Sequence, residues 1–302
     1  FGSPVYYAHP SGRILSVLDR VFFAASSEFT GKPACCVVCA DIPSEDVPYV
    51  QVRSPRQTLA LMARNYFGDP ASNMTLIGVT GTKGKSTTSS LIYHLLKSAG
   101  KDTILAGNIG VPFFNIIEQM TEETIVVAEL SAHQLEFIKR SPDYAVLLNI
   151  YQEHLDHFNS FNNYQIAKIN ITKFQDDRQF LVYNGDDEHI PGLIKSYHLN
   201  RDRVIFGTQS HDGPYASCHD NHIFFAISGH VEDEYDLTYY RNLPGSHNYY
   251  NIMAAMAICR KLGLAHNQIL EGLSTFKGLP NRIEYVGRYN NITFYNDSIS
   301  TI

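Results

Sequence analysis

The residues best suited to chemistry lie in one glycine-rich segment, Gly81-Thr82-Lys83-Gly84-Lys85-Ser86-Thr87, which follows the apolar run 76–79. Glycine lets backbone N–H groups converge on an anion, and the N-terminus of a following helix adds partial positive charge at the same place. In such a loop Lys85 reaches the outer phosphates of a nucleotide, and the Ser86 hydroxyl binds Mg²⁺. The common pattern has glycine where Val79 stands. The segment predicts a nucleoside triphosphate site, and the alternative is a turn that only begins a helix.

Polar residues at the ends of later apolar runs are the next candidates, because ligands of open α/β sheets gather at the carboxyl ends of strands. Glu129 closes the run 125–128 and could bind the same Mg²⁺ as Ser86, or it could be a capping or ion-paired residue. The cluster 152–157, which contains His154, follows another apolar run and could bind metal or form a polar loop. Lys168 by itself is expected to be a solvated lysine on a helix.

These candidates are far apart in the sequence, so a fold must bring them together. From residue 75 onward, apolar runs alternate with helix-length segments, which is typical of a parallel sheet covered by helices on both faces. Strands are predicted at 76–79, 125–130, 144–150, 180–183, 204–206 and 292–295. An antiparallel insert is predicted from strands at 222–227 and 235–240, and helices are predicted near 162, at 248–262 and at 268–276.

The predicted class is therefore α/β, with three parts. Residues 1–73 form a small amino-terminal α/β domain whose last element is a helix at 56–67. Residues 74–277 form a phosphate-loop central domain with a mostly parallel sheet and the antiparallel insert. Residues 278–302 begin a carboxy-terminal domain that is expected to be largely absent from this chain.

Composition excludes several classes of protein. The 302 residues carry 24 Lys and Arg against 30 Asp and Glu, a net charge of -6, so duplex nucleic acid is not expected as a partner. No apolar run is long enough to span a membrane. The five cysteines form no spaced framework, and Cys36 and Cys39 are expected to be structural rather than zinc-binding or redox-active. We expect a cytoplasmic protein, from which a few leading residues are missing because the chain begins at Phe1.

Eight segments together resemble the Mur ligase family, ATP-dependent enzymes that join an amino acid to a UDP-muramoyl precursor of peptidoglycan. In chain order they are the loop 81–87, Gly107-Asn108-Ile109-Gly110-Val111-Pro112, Glu129-Leu130-Ser131-Ala132-His133-Gln134-Leu135-Glu136, 149–157, 164–168, 243–248 with Asn251, 278–282 and Asn296-Asp297-Ser298. They occur in the order of the family and cover residues 75–298. The resemblance implies a UDP-precursor-binding amino-terminal domain and a central ATPase domain.

The resemblance also implies roles for individual residues. The catalytic residues would be Lys85, Glu129, His154 and Lys168. ATP would contact the loop 81–87, Asn251, Arg282 and Asp297, and the muramoyl substrate would contact Asn108, Ser131 and Gln134. Two Mg²⁺ ions would be held by Ser86, Glu129, His154 and Lys168, the last as a carbamylated lysine that serves as an anionic oxygen ligand.

The motifs are similar to more than one ligase of the family, and these ligases add different amino acids. Segments 107–112 and 129–136 are most similar to the ligase that adds glutamate to UDP-N-acetylmuramoyl-L-alanine, whereas segment 47–70 is similar to the ligase that adds a diamino acid at the third position. Ile299 stands where glutamate-adding members commonly have lysine. Glutamate addition is the prediction.

Four alternatives stay open. They are the diamino-acid ligase, a folylpolyglutamate synthetase, a non-catalytic Mur-like nucleotide-binding module and, disfavoured because no Asn-Lys-x-Asp segment occurs, a GTPase. We expect a monomer, and we expect these 302 residues to bind ATP with little or no ligation.

Overall fold

The computed structural model describes residues 74–110, 120–199, 202–240 and 242–299, together with the backbone of four short strands before residue 52. The chain divides into two compact units, Phe1–Ser72 and Asn73–Ile302. In the first unit, β1 (Val5–Tyr6) pairs with β2 (His9–Pro10) in antiparallel fashion, and β3 (Cys36–Val38) pairs with β4 (Tyr49–Gln51) in parallel. The helix predicted at 56–67 and residue Cys39 lie outside the described residues.

The second unit is built on one nine-stranded sheet. Its strands are β5 (Thr75–Thr80), β6 (Thr103–Gly107), β7 (Ile125–Glu129), β8 (Tyr144–Leu147), β9 (Phe180–Asn184), β10 (Arg203–Gly207), β11 (Pro214–His219), β12 (His222–Ile227) and β13 (His230–Asp236). Their spatial order is β13-β12-β11-β10-β9-β8-β5-β7-β6. Pairs from β6 to β11 are parallel, and β12 and β13 extend the sheet in antiparallel fashion.

Helices cover both faces of this sheet. They are α1 (Lys85–Ser98), α2 (Ala132–Leu135), α3 (Leu155–Phe158), α4 (Phe161–Lys173), α5 (Ile190–Ser196), α6 (His247–Lys261) and α7 (His266–Thr275). One core contains side chains of α1, α6 and α7, and the other contains side chains of α2, α4 and α5. Among the described residues, no helix has both the length and the apolar character needed to cross a bilayer.

Alternation along the central strands explains this two-sided arrangement. In β8, Val146 packs into the first core, while Ala145 and Leu147 pack into the second. Strand β9 repeats the pattern, with Val182 in the first core and Leu181 in the second. Because successive side chains of a strand point to opposite faces, a strand that is apolar throughout must be covered on both.

The predicted α/β class, with a mostly parallel sheet and an antiparallel insert, is confirmed, and several boundaries are corrected. The insert has three strands: β11 was not predicted, and its outer strand is His230–Asp236 rather than 235–240. That strand carries four acidic residues, which the apolar criterion misses because one face of an edge strand is open to water. Strand β6 was also missed, because two of its five residues are Ala106 and Gly107, which leaves only a short apolar run.

A separate hairpin follows α7. Strand β14 (Glu284–Tyr289) pairs with β15 (Ile292–Asn296) in antiparallel fashion, which adds one strand to the single strand predicted here. Several of its large apolar side chains are exposed, namely Tyr285, Val286, Tyr289, Ile292, Phe294 and Tyr295. The hairpin therefore contributes little buried apolar area of its own.

Candidate functional site

The glycine-rich loop joins the carboxyl end of β5 to the first turn of α1. Gly84 has φ 83°, a left-handed conformation that favours glycine, and a Cβ there would overlap Oδ1 of Asn251. Helix α1 begins at Lys85, so its unpaired N–H groups face the space beyond the loop. The sequence thus forms an anion-binding turn at the end of β5, which lies between β7 and β8 at the point where the strand order of the sheet reverses.

The segment after β8 holds the loop in shape. The side-chain amide of Asn149 makes two hydrogen bonds with the backbone of one residue: Lys83 N–H donates to Oδ1 at 2.7 Å, and Nδ2 donates to Lys83 O at 3.0 Å. Thr82 N–H donates to Asn149 O at 2.9 Å, and Tyr151 N–H donates to Thr82 Oγ1 at 2.9 Å. These bonds fix the loop before any ligand arrives.

Lys85 folds back over the loop. Its Nζ donates to Gly81 O at 2.8 Å and to Thr82 O at 2.9 Å. Burial lowers the pKa of Lys85, the positive charge of Arg282 lowers it further, and the charges of Glu129 and Glu153 oppose that shift. A polyanion bound at the loop would favour the charged form of this amine and could take over its hydrogen bonds.

Glu129 ends strand β7 beside the loop, where it is the register partner of Val79 in the neighbouring strand β5. The residue is 1% exposed. Its Oε1 accepts a hydrogen bond of 2.9 Å from Asn108 Nδ2, while its Oε2 is buried and has no hydrogen-bond partner among the described residues. A buried carboxylate oxygen without a partner is costly, so this atom is a candidate ligand for a cation.

His154 stands at the beginning of α3 with φ 55°. Left-handed backbone in a residue other than glycine is uncommon and is frequent at functional sites. Its ring is 52% exposed, and its Nε2 lies 3.8 Å from Glu153 Oε2. The ring of His133 lies edge-on at 5.0 Å between centroids and supports one side of it.

Lys168 is buried in α4, with 1% of its surface exposed. The expectation of a solvated helix lysine, drawn from the residue alone, is therefore wrong, because the face of α4 that carries it packs toward the sheet. Nζ lies 4.9 Å from the centre of the Tyr164 ring, and the Tyr164 hydroxyl lies 3.1 Å from Thr82 Oγ1. Burial, together with the positive charge of Lys85, lowers the pKa of Lys168 to about 7, against the opposing charge of Glu153.

One cleft of about 1510 Å³ brings many of the candidates together. The predicted residues that line it are Thr82, Lys83, Gly84, Lys85, Ser86, Thr87, Asn108, Glu129, His154, Asn251, Arg282 and Asp297. Four predicted residues, Gly81, Ser131, Gln134 and Lys168, do not line it.

Ser131 and Gln134, the predicted contacts of the muramoyl substrate, bond to each other. Gln134 N–H donates to Ser131 Oγ at 3.3 Å, and Ser131 N–H donates to Gln134 Oε1 at 2.9 Å, which forms a capping box on α2. Such a box satisfies two otherwise unpaired donors at the beginning of a helix. Their role toward a substrate stays a prediction.

The far wall of the cleft comes from α6 and the hairpin. Asn251 Oδ1 accepts from Thr88 Oγ1 at 3.1 Å, and its Nδ2 donates to Asn248 Oδ1 at 2.8 Å, so α6 is tied to α1 behind the loop. Arg282 precedes β14 and Asp297 follows β15. Asp297 Oδ1 accepts from Ile283 N–H at 3.1 Å.

Two residues with functional positions belong to segments noted in the sequence, 149–157 and the cluster 152–157, but were given no role of their own. Asn149 follows β8 in the way that Glu129 ends β7, so its place at a strand end was the available signal. Glu153 lines the cleft beside His154, and its charge acts on both Lys85 and Lys168. Its place in the cluster 152–157 was a signal for metal binding, but its effect on the two lysines could not be predicted, because they reach the same place only in the fold.

The donors in the cleft suit a hard divalent cation. No group of three or more His, Cys, Asp or Glu side chains is arranged as a metal centre in the part of the chain that the structure describes. Mg²⁺ does not require such a group, because it commonly binds one or two carboxylates together with water and phosphate oxygens. The unpartnered Oε2 of Glu129 and the hydroxyl of Ser86 fit that mode.

Comparisons with known proteins agree with this geometry. Residues 79–259 match the family described as the Mur ligase middle domain. The chain is 33% identical over 264 residues to the UDP-N-acetylmuramoylalanine–D-glutamate ligase of Bacillus thuringiensis (strain Al Hakam), which covers 86% of this chain and 57% of that protein. The ligase of the same name from Bacillus cereus (strain AH820) gives the same values. The chain thus spans about 57% of the length of these curated relatives.

Solved structures share the fold. The MurF ligase from Thermotoga maritima in complex with ADP is 24% identical with a TM-score of 0.60, and the match covers 91% of this chain and 64% of that one. A UDP-N-acetylmuramoyl-L-alanyl-D-glutamate–2,6-diaminopimelate ligase is 19% identical with a TM-score of 0.69, covering 90% and 60% respectively. At these identities the likeness concerns the fold alone.

Proposed function

The chain belongs to the Mur ligase family, and on that basis we propose that it is the nucleotide-binding part of an ATP-dependent ligase that adds glutamate to UDP-N-acetylmuramoyl-L-alanine. The reaction belongs to the synthesis of peptidoglycan precursors, and we assign it to the cytoplasm. The glutamate assignment is supported by the 33% identity to D-glutamate ligases over 86% of the chain. Since the chain spans about 57% of those relatives, ligation is proposed for the protein that contains it.

One observation carries the proposal. A single cleft contains the glycine-rich loop, the amine of Lys85, the buried carboxylate of Glu129 and the ring of His154. A phosphate-binding turn, a cation ligand and polar groups that converge within one concave site are what phosphoryl transfer requires, since that chemistry depends on positioning and charge neutralisation. A non-catalytic module would not need the carboxylate.

The loop and Lys85 would bind the triphosphate. We propose that N–H groups of the loop and of the first turn of α1 bind phosphate oxygens, as at other helix N-termini. Lys85 would exchange its hydrogen bonds with Gly81 O and Thr82 O for bonds with the outer phosphates. Asn251 would support the loop from the side of α6, because its side chain already bonds to Thr88 and Asn248.

Ser86, Glu129 and His154 are the residues that would hold Mg²⁺. The bound ions would offset the repulsion between the negative charges of the substrate carboxylate and the triphosphate. The residues of this chain orient both partners. The carboxylate of UDP-N-acetylmuramoyl-L-alanine attacks the γ-phosphorus, the bond to the bridging oxygen breaks, and ADP leaves. The neutral amine of glutamate then attacks the carbonyl carbon of the acyl phosphate, and the amide forms as the C–O bond to phosphate breaks, phosphate departs and the nitrogen gives up one proton to phosphate or solvent.

Lys168 has an environment that suits carbamylation. An amine must be neutral to attack CO₂, and burial lowers the pKa of Lys168 to about 7, so a substantial fraction is neutral near that pH. The amine nitrogen forms a bond to the carbon of CO₂, one C=O bond becomes a C–O⁻, and a proton leaves. The product would be an anionic side chain whose charge compensates that of Lys85 nearby.

Amino-acid-dependent phosphate release by the protein that contains this chain tests the function. UDP-N-acetylmuramoyl-L-alanine is offered with ATP, Mg²⁺ and either D-glutamate or L-glutamate. In parallel, the muramoyl dipeptide is offered with lysine or diaminopimelate. We expect release with one glutamate isomer only.

Two other outcomes would contradict the proposal in different ways. Release only with a diamino acid would reject glutamate and keep the ligase chemistry. Failure of the chain to bind ATP or ADP in titration calorimetry would reject the nucleotide site itself.

A further inference from the structure

Asn108 holds Glu129 at two points. Its backbone N–H donates to the carbonyl oxygen of Glu129 at 3.0 Å, and its side-chain Nδ2 donates to the carboxylate Oε1 at 2.9 Å. The first bond fixes the main chain at the end of β7, and the second fixes the rotation of the carboxylate. Together they determine where the other carboxylate oxygen, Oε2, is located.

The backbone before Asn108 is shaped for this contact. Gly107 ends β6 opposite Glu129 in the parallel register and has φ 99°. A Cβ at Gly107 would overlap the carbonyl oxygen of Glu129, so only glycine permits so close an approach. The pair Gly107-Asn108 therefore brings an amide donor against the carboxylate from the neighbouring strand.

A neutral donor on Oε1 has a specific consequence for charge. An ammonium or guanidinium in that place would add a positive charge beside the carboxyl group, whereas the amide of Asn108 fixes the group without adding any charge. Lys85, the nearby cation, uses its Nζ for Gly81 O and Thr82 O. Oε2 is left buried and without a hydrogen-bond partner among the described residues.

We propose that Asn108 is a positioning residue that orients Glu129 so that Oε2 serves as the oxygen ligand of a divalent cation, in addition to or instead of contacting the muramoyl substrate. This role rests on the proposed function, since it assumes a cation bound with the nucleotide. Residues that orient a metal ligand by a hydrogen bond typically change metal affinity by about 10–100-fold when they are removed.

Mn²⁺ binding in the absence of muramoyl substrate tests this role. The chain is saturated with the non-hydrolysable analogue AMP-PNP, and the affinity for Mn²⁺ is measured by electron paramagnetic resonance. We expect Asn108→Ala, and Asn108→Leu, which keeps the side-chain volume, each to weaken Mn²⁺ binding about 10-fold or more. Nucleotide affinity in EDTA should stay within about 2-fold, because the loop is untouched. Asn290→Ala, in the exposed turn of the hairpin, is the matched control.

A double-mutant cycle separates positioning from a general structural effect. In a Glu129→Gln background, Asn108→Ala should weaken Mn²⁺ binding no further, since the two residues act through one ligand. An additive loss would overturn the proposal. Unchanged Mn²⁺ affinity in both Asn108 variants, with weaker binding of the muramoyl substrate, would overturn it and make Asn108 a substrate contact only. Absence of Mn²⁺ binding in the unaltered chain would overturn the proposed function as well.

Discussion

The two walls of the cleft are built differently. The wall formed by β5, β7 and β8 belongs to a nine-stranded sheet in which each of these strands is paired on both sides, and its functional groups are buried or tied by several hydrogen bonds. The opposite wall includes the hairpin of β14 and β15, a separate two-stranded sheet with exposed aromatic and aliphatic side chains. Two-stranded hairpins bury little apolar surface and are marginally stable by themselves.

This difference separates groups that are in position before a ligand binds from groups whose position depends on a marginally stable element. Lys85 and Glu129 are held by neighbours that do not depend on a ligand, so their positions precede binding. Arg282 and Asp297 lie at the ends of an element with few buried contacts, and regions with few buried contacts open at lower free energy. Variants in the two walls should therefore differ in both size and kind of effect.

The largest expected effect is that of Lys85→Met on nucleotide binding. The variant removes the loop amine that is predicted to reach the outer phosphates, and we expect ATP-dependent turnover by the protein that contains this chain to fall by roughly 10²–10³-fold, as for loss of a preorganised donor. ADP titration calorimetry should show a parallel loss of affinity. Arg282→Met, from the hairpin wall, should cost less than roughly 10-fold. Lys101→Met, at an exposed lysine, is the control. Equal losses for the Lys85 and Arg282 variants would contradict the inferred difference between the two walls.

A smaller effect is expected on stability at Lys168. Its pKa of about 7 lies below the ordinary value of 10.5, so between those pH values the unfolded chain binds more protons than the folded one. The free energy of unfolding should then rise as pH increases from about 7 to about 10, and the full cost should be present below pH 7. In CO₂-free buffer at pH 7, Lys168→Met should raise Tm by at least about 3 °C and reduce this pH dependence, while the contribution of Lys85, whose pKa burial also lowers, stays.

Lys97→Met, a lysine exposed on α1, serves as the control and should leave Tm nearly unchanged. Equal dependence of stability on pH in the unaltered chain and in Lys168→Met between pH 7 and 10 would contradict the lowered pKa of Lys168. Addition of ¹³C-bicarbonate should give a carbamate signal in NMR spectra of the unaltered chain and none in Lys168→Met.

The smallest effect is expected in the hairpin. Phe294 in β15 is 47% exposed, so Phe294→Ala should change the free energy of unfolding by less than about 1 kcal/mol. The same substitution at Phe206, which is fully buried in β10, should cost about 3–5 kcal/mol through the lost burial and the cavity that remains. Chemical denaturation of both variants measures these two losses, and similar values would show that the hairpin is packed as tightly as the nine-stranded sheet.

Some of the site could be predicted because its residues are adjacent in the sequence. The loop 81–87 carries its own signal, since glycine spacing, a preceding apolar run and a following helix are all local. Glu129 and His154 were found because they follow apolar runs, although alternative readings of each stayed open. The edge strand β13 was missed because its many acidic residues give no apolar run. The short strand β6 was missed because it contains small residues.

Other features required the tertiary structure. The burial of Lys168 depends on which face of α4 meets the sheet, and the direct bond from Asn108 to Glu129 depends on the parallel register of β6 and β7. The sequence by itself determined the phosphate loop, the class of fold and the family resemblance, because these depend on local spacing. Only the fold decided which oxygen of Glu129 lacks a partner and how far the pKa of Lys168 is lowered, because burial and charge act through space between residues distant in the chain.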